Sequence, residues 1–227
     1  MNRLSALPPA VIGALRRFAL PASCRACGAP VDLEFLCPSC ASQLVPAVCA
    51  LELPRDGGRG PRHAFYGLRF TEAARALVHA IKFDGHTSAA GVLAEKVLPV
   101  CRVVGGSACD AVVPVPLHPV RERERGFNQS SSIARELAGR LGLDVIERGL
   151  TRTRPTRPQT DLGRAERLVN VREAFRAGRS PLSGSRVLLV DDVITTGSTL
   201  AAASSALLAA GAESVIPFAA TGRPETG

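Results

Sequence analysis

Two adjacent acids, Asp191 and Asp192, are the residues of this chain best suited to chemistry. They follow an apolar run, and neighbouring carboxylates at a strand end can accept hydrogen bonds from a sugar diol or hold Mg²⁺. A short loop of small and hydroxyl-bearing residues comes next: Thr195, Thr196, Gly197, Ser198 and Thr199. Such a loop before a helix is a binding place for phosphate. The pattern therefore predicts a diol or Mg²⁺ site beside a phosphate site.

The elements around these residues would hold both sites in place. The β-branched and leucine residues at 187–190 predict a strand buried on both faces, as in a parallel sheet. The Ala- and Leu-rich residues 200–210 predict a helix that stops at Gly211. Free backbone N–H groups and the positive end of the helix dipole meet at the beginning of that helix. The simpler interpretation is a capped helix with solvated acids, which leaves the coincidence of acids and loop unexplained.

A second anion site is predicted at the end of an earlier strand. Residues 110–114 are mainly apolar, and the prolines that follow preset the backbone of the next loop. Arginines come directly after this rigid loop, and Asn128 is placed to cap a helix over 129–141. In open α/β sheets, ligands bind at such carboxyl ends of strands. The predicted pyrophosphate-binding residues are Val115, Pro116, Leu117, Arg121 and Arg125.

A mobile loop is predicted further along the chain. Residues 150–159 are polar and interrupted by proline, and a helix-like segment at 162–171 follows with Arg164 and Arg167. A flexible flap that carries arginine suits a site that must exclude water during reaction. A plain solvent-exposed loop explains the same composition.

Four cysteines near the beginning of the chain form two Cys-x-x-Cys knuckles, Cys24 with Cys27 and Cys37 with Cys40. Four thiolates at this spacing can close a tetrahedral zinc site. A closed site of this kind folds a segment that is too small to have its own core. A redox dithiol or two disulfides are the alternatives, but a redox motif normally occurs once, and nothing indicates export.

The charge of the chain indicates a polyanionic partner. The net charge is +8, and residues 121–186 contain fifteen Arg, no Lys and eight Asp or Glu. Arg suits bidentate phosphate contacts, so the partner is a small molecule with pyrophosphate or a nucleic-acid backbone. With no Trp and one Tyr, base-stacking platforms are disfavoured. A P-loop nucleoside triphosphatase is disfavoured because no Gly-x-x-x-x-Gly-Lys-Ser/Thr sequence is present.

Composition divides the chain into three parts. Residues 1–20 predict a short amphipathic segment, since prolines and arginines interrupt its apolar residues and leave no run that spans a bilayer. Residues 21–60 hold the zinc knuckles and a linker rich in Gly, Pro and Arg. Residues 61–227 form the predicted α/β domain. We expect a cytoplasmic protein without a membrane span.

These motifs, taken in order, resemble the ComF/GntX group of phosphoribosyltransferase-like proteins. The segment 191–199 is similar to the phosphoribosyl-pyrophosphate (PRPP) motif of type I phosphoribosyltransferases. The other residues that carry the resemblance are the four cysteines, Lys82-Phe83, 114–118, Arg121, 125–129, Gln159, Arg167, Asn170-Val171 and Phe175. The match covers nearly the whole chain. One departure is visible, because Cys49 is followed by Ala-Leu-Glu where members often carry a further cysteine pair.

The resemblance implies a type I phosphoribosyltransferase fold, which is a mainly parallel twisted sheet flanked by helices. It implies Mg²⁺-dependent PRPP binding by the loop 195–199, with Asp191 and Asp192 as the catalytic and ribose-binding acids. It also implies bacterial origin and, for some members, a role in DNA uptake. The rival interpretation is a zinc-containing module that binds single-stranded DNA and keeps the PRPP site as a sensor.

Overall fold

The computed structural model describes residues 22–31, 35–54, 60–84, 88–153, 174–178 and 182–223. In chain order the strands are β1 (Ala22–Ser23), β2 (Pro30–Val31), β3 (Cys49–Glu52), β4 (His63–Arg69), β5 (Ala111–Pro114), β6 (Asp144–Val145), β7 (Leu150–Arg152), β8 (Phe175–Ala177), β9 (Arg186–Ile194) and β10 (Ser214–Gly222). The helices are α1 (Pro38–Ala41), α2 (Glu72–Asp84), α3 (Ser88–Val103), α4 (Pro119–Arg125), α5 (Gln129–Leu141) and α6 (Ser198–Ala209).

Six strands form the main sheet, in the order β3-β4-β10-β9-β5-β6. Every pairing is parallel except the antiparallel pairing of β3 with β4. Parallel neighbours need crossover connections, and helices supply them here. The mainly parallel α/β sheet predicted from the sequence is confirmed.

Strand β9 lies between β10 and β5 in this sheet. Its apolar residues alternate between two hydrophobic cores, with Leu188 and Val190 in one and Val187 and Leu189 in the other. All four side chains are completely buried. This confirms the predicted strand that is buried on both faces, and it explains why the run is continuously apolar rather than alternating.

The strand is longer than predicted, because its pairing with β10 continues as far as Ile194. Asp191 and Asp192 therefore lie inside β9, near its carboxyl end, and not in the loop beyond it. Successive residues of a strand point to opposite faces. The two acids are thereby given different surroundings, which the sequence pattern alone does not reveal.

Helices cover both faces of the sheet. Residues of α2, α3 and α5 pack with Leu188, Val190 and Phe218 on one face. Helix α6 and the two-stranded sheet β7–β8 pack on the other, against Val187 and Leu189. The cores are aliphatic, as the scarcity of aromatic residues predicts.

After the neighbouring strands β5 and β9, the chain continues on opposite faces of the sheet. After β5 the chain leads through α4 to α5 on the first face, and after β9 it leads to α6 on the second. Adjacent strands whose helices diverge in this way leave a crevice at their carboxyl ends, and ligands bind there in open α/β sheets. Both predicted anion sites lie at this crevice.

Two helices are confirmed together with their N-caps: α5, as Asn128 predicts, and α2, where Thr71 before the regularly spaced apolar residues 74–81 predicts a helix in the same way. Thr71 precedes α2, and its Oγ1 accepts a hydrogen bond from the Ala74 N–H at 3.3 Å. Asn128 precedes α5, and its Oδ1 accepts from the Ser130 N–H at 3.1 Å. Both contacts satisfy N–H groups that a helix leaves without partners at its beginning.

Two segments predicted as loops are partly regular. The arginine-rich residues 121–125 belong to helix α4, which begins with Pro119 and ends at Gly126 in the left-handed region at φ 81°. Proline suits the first position of a helix because its fixed φ is already helical. The first residues of the predicted mobile loop form β7, which pairs with β8. Tertiary pairing, which local composition does not encode, orders this segment.

The zinc-knuckle segment packs on the main domain. Cys24, Cys37 and Cys40 share a hydrophobic core with helices α2 and α3. Strand β3 falls on the knuckle side of the predicted boundary at residue 60, yet it pairs with β4 at the edge of the main sheet. A boundary at residue 60 would separate these hydrogen-bonded strands, and the division into parts stays a prediction.

Within the described ranges, no helix is both long enough and apolar enough to cross a bilayer. The predicted amphipathic segment 1–20 lies outside the residues that the structure describes.

Candidate functional site

A small open pocket lies at the carboxyl end of β9. Its lining is formed by Asp191 and by residues 193–200, so the predicted acid and the predicted hydroxyl-rich loop meet in one place. Thr195, Thr196, Ser198 and Thr199 are at least partly exposed, whereas Gly197 is buried. The pocket is thus built from the end of a strand, a tight turn and the first turn of α6.

Helix α6 begins without a side-chain cap among the described residues. Its N-cap is Gly197, which lies within the predicted hydroxyl-rich loop. The Thr196 and Ser198 hydroxyls contact each other at 3.0 Å, and Thr196 Oγ1 also accepts from the Ser198 N–H at 3.5 Å. The first N–H groups of a helix have no intrahelical partner, so those beyond Ser198 can donate to an anion in the pocket.

Gly197 is required by both backbone conformation and space. It has φ 75°, and a Cβ at this position would lie 2.6 Å from Leu53 Cδ2. The left-handed region is costly for residues with a side chain. The loop therefore turns tightly only because this residue is glycine.

Replacing Gly197 by alanine is expected to destabilise the protein by about 1–3 kcal/mol, from the positive φ and the clash together. Gly139 in α5 is a matched control, since a Cβ there meets nothing within 4 Å. Gly139→Ala is expected to stabilise the protein by about 0.5–1 kcal/mol. Urea unfolding of both variants tests this, and equal effects would contradict it.

Asp191 is held rigidly in its place. The Ser130 hydroxyl at the beginning of α5 donates to Asp191 Oδ1 at 2.8 Å, and the Asp192 N–H donates to the same oxygen at 2.9 Å. Burial and the neighbouring charge of Asp192 raise the pKa of Asp191 to about 7, against these two hydrogen bonds, which lower it. Asp191 can therefore exchange a proton near neutral pH, as a general base or acid must.

The raised pKa of Asp191 predicts a pH-dependent stability. The unfolded carboxyl titrates near 3.8 and the folded one near 7, so its stabilising contribution is complete below about pH 4 and is lost as the pH rises through 7. Between pH 5 and 8, the wild type should lose on the order of 2 kcal/mol relative to Asp191→Asn.

The control for this titration is Asp110→Asn. The Asp110 carboxylate pairs with Arg186, which lowers the pKa of Asp110 to about 2. Asp110 is therefore ionised in both folded and unfolded states between pH 5 and 8, and its variant should change the slope little. Unfolding curves across this pH range that run parallel for wild type and Asp191→Asn would contradict the prediction.

Asp192 makes different contacts from Asp191. Its Oδ2 forms an ion pair with the Lys82 ammonium group from the last turn of α2. Its backbone carbonyl accepts from the Thr221 hydroxyl of β10 at 3.1 Å. The two acids are thus anchored to different elements, Asp191 to α5 and Asp192 to α2 and β10.

The predicted second anion site lies beside the first. The Val115 N–H donates to the Val190 carbonyl at 2.8 Å, so the loop after β5 is joined to β9. Asn128 Nδ2 donates to the Val115 carbonyl at 2.9 Å, which secures the loop to α5. Residues Pro116 and Leu117 are partly exposed on this loop. The rigid loop predicted from the prolines is therefore held by two hydrogen bonds as well.

The arginines of α4 differ in their contacts. Arg121 is exposed, whereas Arg125 Nη1 donates to Gln129 Oε1 at 2.6 Å. The Arg125 guanidinium also lies over the Phe83 ring, 5.5 Å from its centroid. The predicted flap arginines, Arg164 and Arg167, lie outside the described residues.

Arg152 of β7 brings a further cation toward Asp191. Burial lowers the pKa of Arg152, the Asp191 charge raises it, and the Arg121 charge lowers it. Its guanidinium lies over the Phe175 ring, 5.3 Å from the centroid. Sequence reasoning placed Arg152 in a mobile loop and assigned it no role.

Ser130 and Lys82 were also missed as site residues. Ser130 belongs to a run of four buried polar residues that opens α5, namely Gln129, Ser130, Ser131 and Ser132. Polar residues at a helix beginning are ordinary, so the run carries no signal until its burial is known. Lys82 had a compositional signal, because the chain contains only two lysines.

The four knuckle cysteines converge on one point. Their Sγ atoms all lie within 4.8 Å of one another, and Cys27 Sγ is 3.7 Å from Cys37 Sγ. Zinc–sulfur bonds of about 2.3 Å in a tetrahedron place the sulfurs about 3.8 Å apart, whereas a disulfide needs about 2.05 Å. All four residues have free thiols. The cluster is compatible with zinc.

Backbone groups favour a thiolate at Cys24, whereas the neighbouring thiols disfavour one at Cys40. Burial raises the pKa of Cys24, but N–H groups of Cys37, Cys27 and Ala26 outweigh it and lower that pKa to about 6. Hydrogen bonding with Cys27, together with burial, raises the pKa of Cys40 to about 12. Four thiolates at this distance need a cation, and a divalent metal ion would supply it.

Comparison with known proteins identifies the family. Residues 123–226 match the phosphoribosyl transferase domain. Over 150 residues the chain is 38% identical to the DNA utilization protein YhgH of Salmonella typhimurium, covering 64% of this chain and 66% of that protein. The chain belongs to the ComF/YhgH family. This confirms the resemblance predicted from the motifs, although the alignment spans slightly less than two thirds of the relative.

Two further proteins are similar to this ComF/YhgH chain. The competence protein F of Haemophilus influenzae is 35% identical over 108 residues, covering 47% of each chain. The orotate phosphoribosyltransferase structure from Aeropyrum pernix has a TM-score of 0.39 and 18% identity, covering 78% of this chain and 88% of that one. The family assignment stands on the sequence relatives and on the matched domain, which contains both Asp191 and the loop 195–199.

Proposed function

We propose that the protein binds PRPP with Mg²⁺ and transfers its phosphoribosyl group to a nitrogen acceptor, releasing pyrophosphate. One observation carries this proposal: Asp191 and the loop 195–199 line a single pocket at the beginning of α6. A phosphate site and a carboxylate in one pocket suit a ribose 5-phosphate. The match to the phosphoribosyl transferase domain supports the same ligand.

The ligand would extend along the crevice between β9 and β5. The backbone N–H groups of residues 196–199 would bind the 5-phosphate, and Asp191 and Asp192 would accept hydrogen bonds from the ribose hydroxyls. The pyrophosphate, with its Mg²⁺, would lie on the loop Val115, Pro116 and Leu117. Arg121, Arg125, Arg164 and Arg167 are its candidate cationic partners. Two anion sites at one crevice fit a ribose with phosphate at both ends.

In the transfer, the acceptor nitrogen would form a bond to C1 as the C1–oxygen bond to pyrophosphate breaks. The bonding electrons would leave with pyrophosphate, whose charge the arginines would stabilise, and bound Mg²⁺ would supply further positive charge there. The carboxylates stabilise positive charge on the ribosyl group. Asp191 is the candidate to take the proton from the acceptor, because its pKa is raised to about 7.

Isothermal calorimetry with PRPP and Mg²⁺ tests the binding. We expect a saturable heat at one site per chain, and its absence would reject the proposal. A screen for pyrophosphate release with purine, pyrimidine and other amine acceptors then tests transfer. Binding without release for every acceptor would favour a PRPP sensor over a transferase.

A DNA-associated role is the second candidate function. Relatives of this chain are called DNA utilization protein and competence protein, and the arginine excess of residues 121–186 suits a phosphate backbone. Binding of single-stranded DNA should then weaken steeply with salt, because bound counterions are released. A flat salt response would argue against backbone contacts.

Structural zinc and a cytoplasmic location complete the proposal. The Cys24, Cys27, Cys37 and Cys40 cluster would hold Zn²⁺ and stabilise the small N-terminal segment. A four-cysteine metal cluster suits a reducing compartment, because disulfides persist in oxidising ones.

A further inference from the structure

Lys82 is an exception in the composition of this chain. Of 28 basic residues, 26 are Arg, and Lys82 and Lys96 are the two lysines. The Lys82 side chain is 24% exposed, and its partner Asp192 is 7% exposed. The pair is thus largely removed from solvent at the edge of the site, whereas Arg serves almost everywhere else.

A buried ion pair of this kind is costly to form. Desolvation of two charges offsets most of their attraction, so such pairs often contribute little to stability compared with apolar replacements. A second acid, Asp191, lies beside Asp192 and is also buried. Two adjacent buried carboxylates repel each other, and the Lys82 ammonium group directly contacts one of them.

Lysine and arginine differ in how many oxygens of a carboxylate they occupy. Arginine presents a planar fork that takes both oxygens of a carboxylate, whereas an ammonium group is a compact point charge. Lys82 pairs with Asp192 Oδ2. A monodentate contact leaves the other oxygen of Asp192 for a different donor.

We propose that Lys82 is a positioning residue of the phosphoribosyl site, which holds Asp192 oriented so that its second oxygen accepts a hydrogen bond from a ribose hydroxyl. This inference rests on the proposed binding of PRPP. Lys82 acts through Asp192 and does not itself contact the ligand. The contacts of α2 thereby become part of ligand recognition, although α2 lies far along the chain from β9.

A double-mutant cycle tests whether Lys82 acts through Asp192. The variants of the full chain are Lys82→Met, Asp192→Asn and the double variant, and calorimetry with PRPP and Mg²⁺ is the measurement. Each single change should weaken binding more than tenfold. The double variant should bind within about twofold of Asp192→Asn, because residues that act as one unit are not additive. Lys96→Met, which removes the other lysine, should bind as the wild type does.

The outcomes separate this inference from the proposed function. Absence of binding by the wild type would reject PRPP as the ligand and the inference with it. If the wild type binds, undiminished affinity in Lys82→Met, or additive losses in the double variant, would overturn the role of Lys82 alone.

Folding provides a second comparison. Lys82→Met leaves a buried carboxylate without its cation and should lower the midpoint of thermal unfolding, and Asp192→Asn should restore it in the double variant. If Lys82→Met does not fold, the double variant is compared with Asp192→Asn directly. A double variant that binds tenfold more weakly than Asp192→Asn would contradict the proposal.

Discussion

Asp191→Asn is expected to weaken PRPP binding by about tenfold to a hundredfold at pH 8, because a charged hydrogen bond contributes about 1.5–3 kcal/mol. Asparagine has nearly the same shape as aspartate, and its oxygen can still accept from Ser130 and from the Asp192 N–H. The variant should therefore fold. Calorimetry with PRPP and Mg²⁺ measures the affinity, and unfolding curves confirm that the loss is local.

Asp110→Asn is the matched control for this change. Asp110 precedes β5 and pairs with Arg186 at the first residue of β9, at the opposite end of the strand from Asp191. Its affinity for PRPP should stay within about twofold of the wild type. Equal affinity of Asp191→Asn and wild type would show that the acid does not hold the ribose.

The dependence on pH adds a second readout. Because burial and the charge of Asp192 raise the pKa of Asp191 to about 7, the carboxylate form that accepts ribose hydroxyls becomes dominant only above that pH. PRPP affinity should rise with pH through 7 in the wild type. In Asp191→Asn this rise should be absent, which a simple loss of packing would not produce.

Cys24→Ser is expected to abolish zinc binding and to unfold the N-terminal segment. Structural zinc supplies about 10–16 kcal/mol in small zinc-finger peptides, and the segment has only short strands and α1 of its own. The main sheet has a separate core on its second face. We therefore expect loss of the segment without loss of the phosphoribosyltransferase domain.

Metal analysis by mass spectrometry measures the zinc, with one ion per chain expected for the wild type. Cys49→Ser is the control, because Cys49 lies in β3 outside the cluster. It also removes one thiol but should keep the metal. Retained zinc in Cys24→Ser would contradict the four-cysteine assignment. A wild type that contains no zinc and whose four cysteines do not react with a thiol reagent would favour disulfides.

The sequence predicted the main elements because their signals are local. Continuous burial of β9 shows as an apolar run, and the caps of α2 and α5 show as Thr71 and Asn128. The zinc cluster is visible in the sequence as two Cys-x-x-Cys pairs, a spacing that fits few structures other than a metal site. Each of these features depends on residues that are close together in the chain.

The contacts of the two acids depend on distant segments. Ser130 is 61 residues from Asp191 in sequence. Lys82 lies in α2, much earlier in the chain than Asp192. Neither contact leaves a pattern in local composition. The end of β9 was also misjudged, because its last residues are strand only through pairing with β10.

The sequence by itself determined that a carboxylate pair, a glycine-containing phosphate loop and a rigid proline loop would follow buried strands. The tertiary structure decided that these strands are neighbours, and that Asp191 faces the pocket while Asp192 pairs with Lys82. The physical reason is that strand order and helix crossing are set by burial over the whole sheet. The charge state and orientation of each acid follow from the side chains that this burial brings beside it.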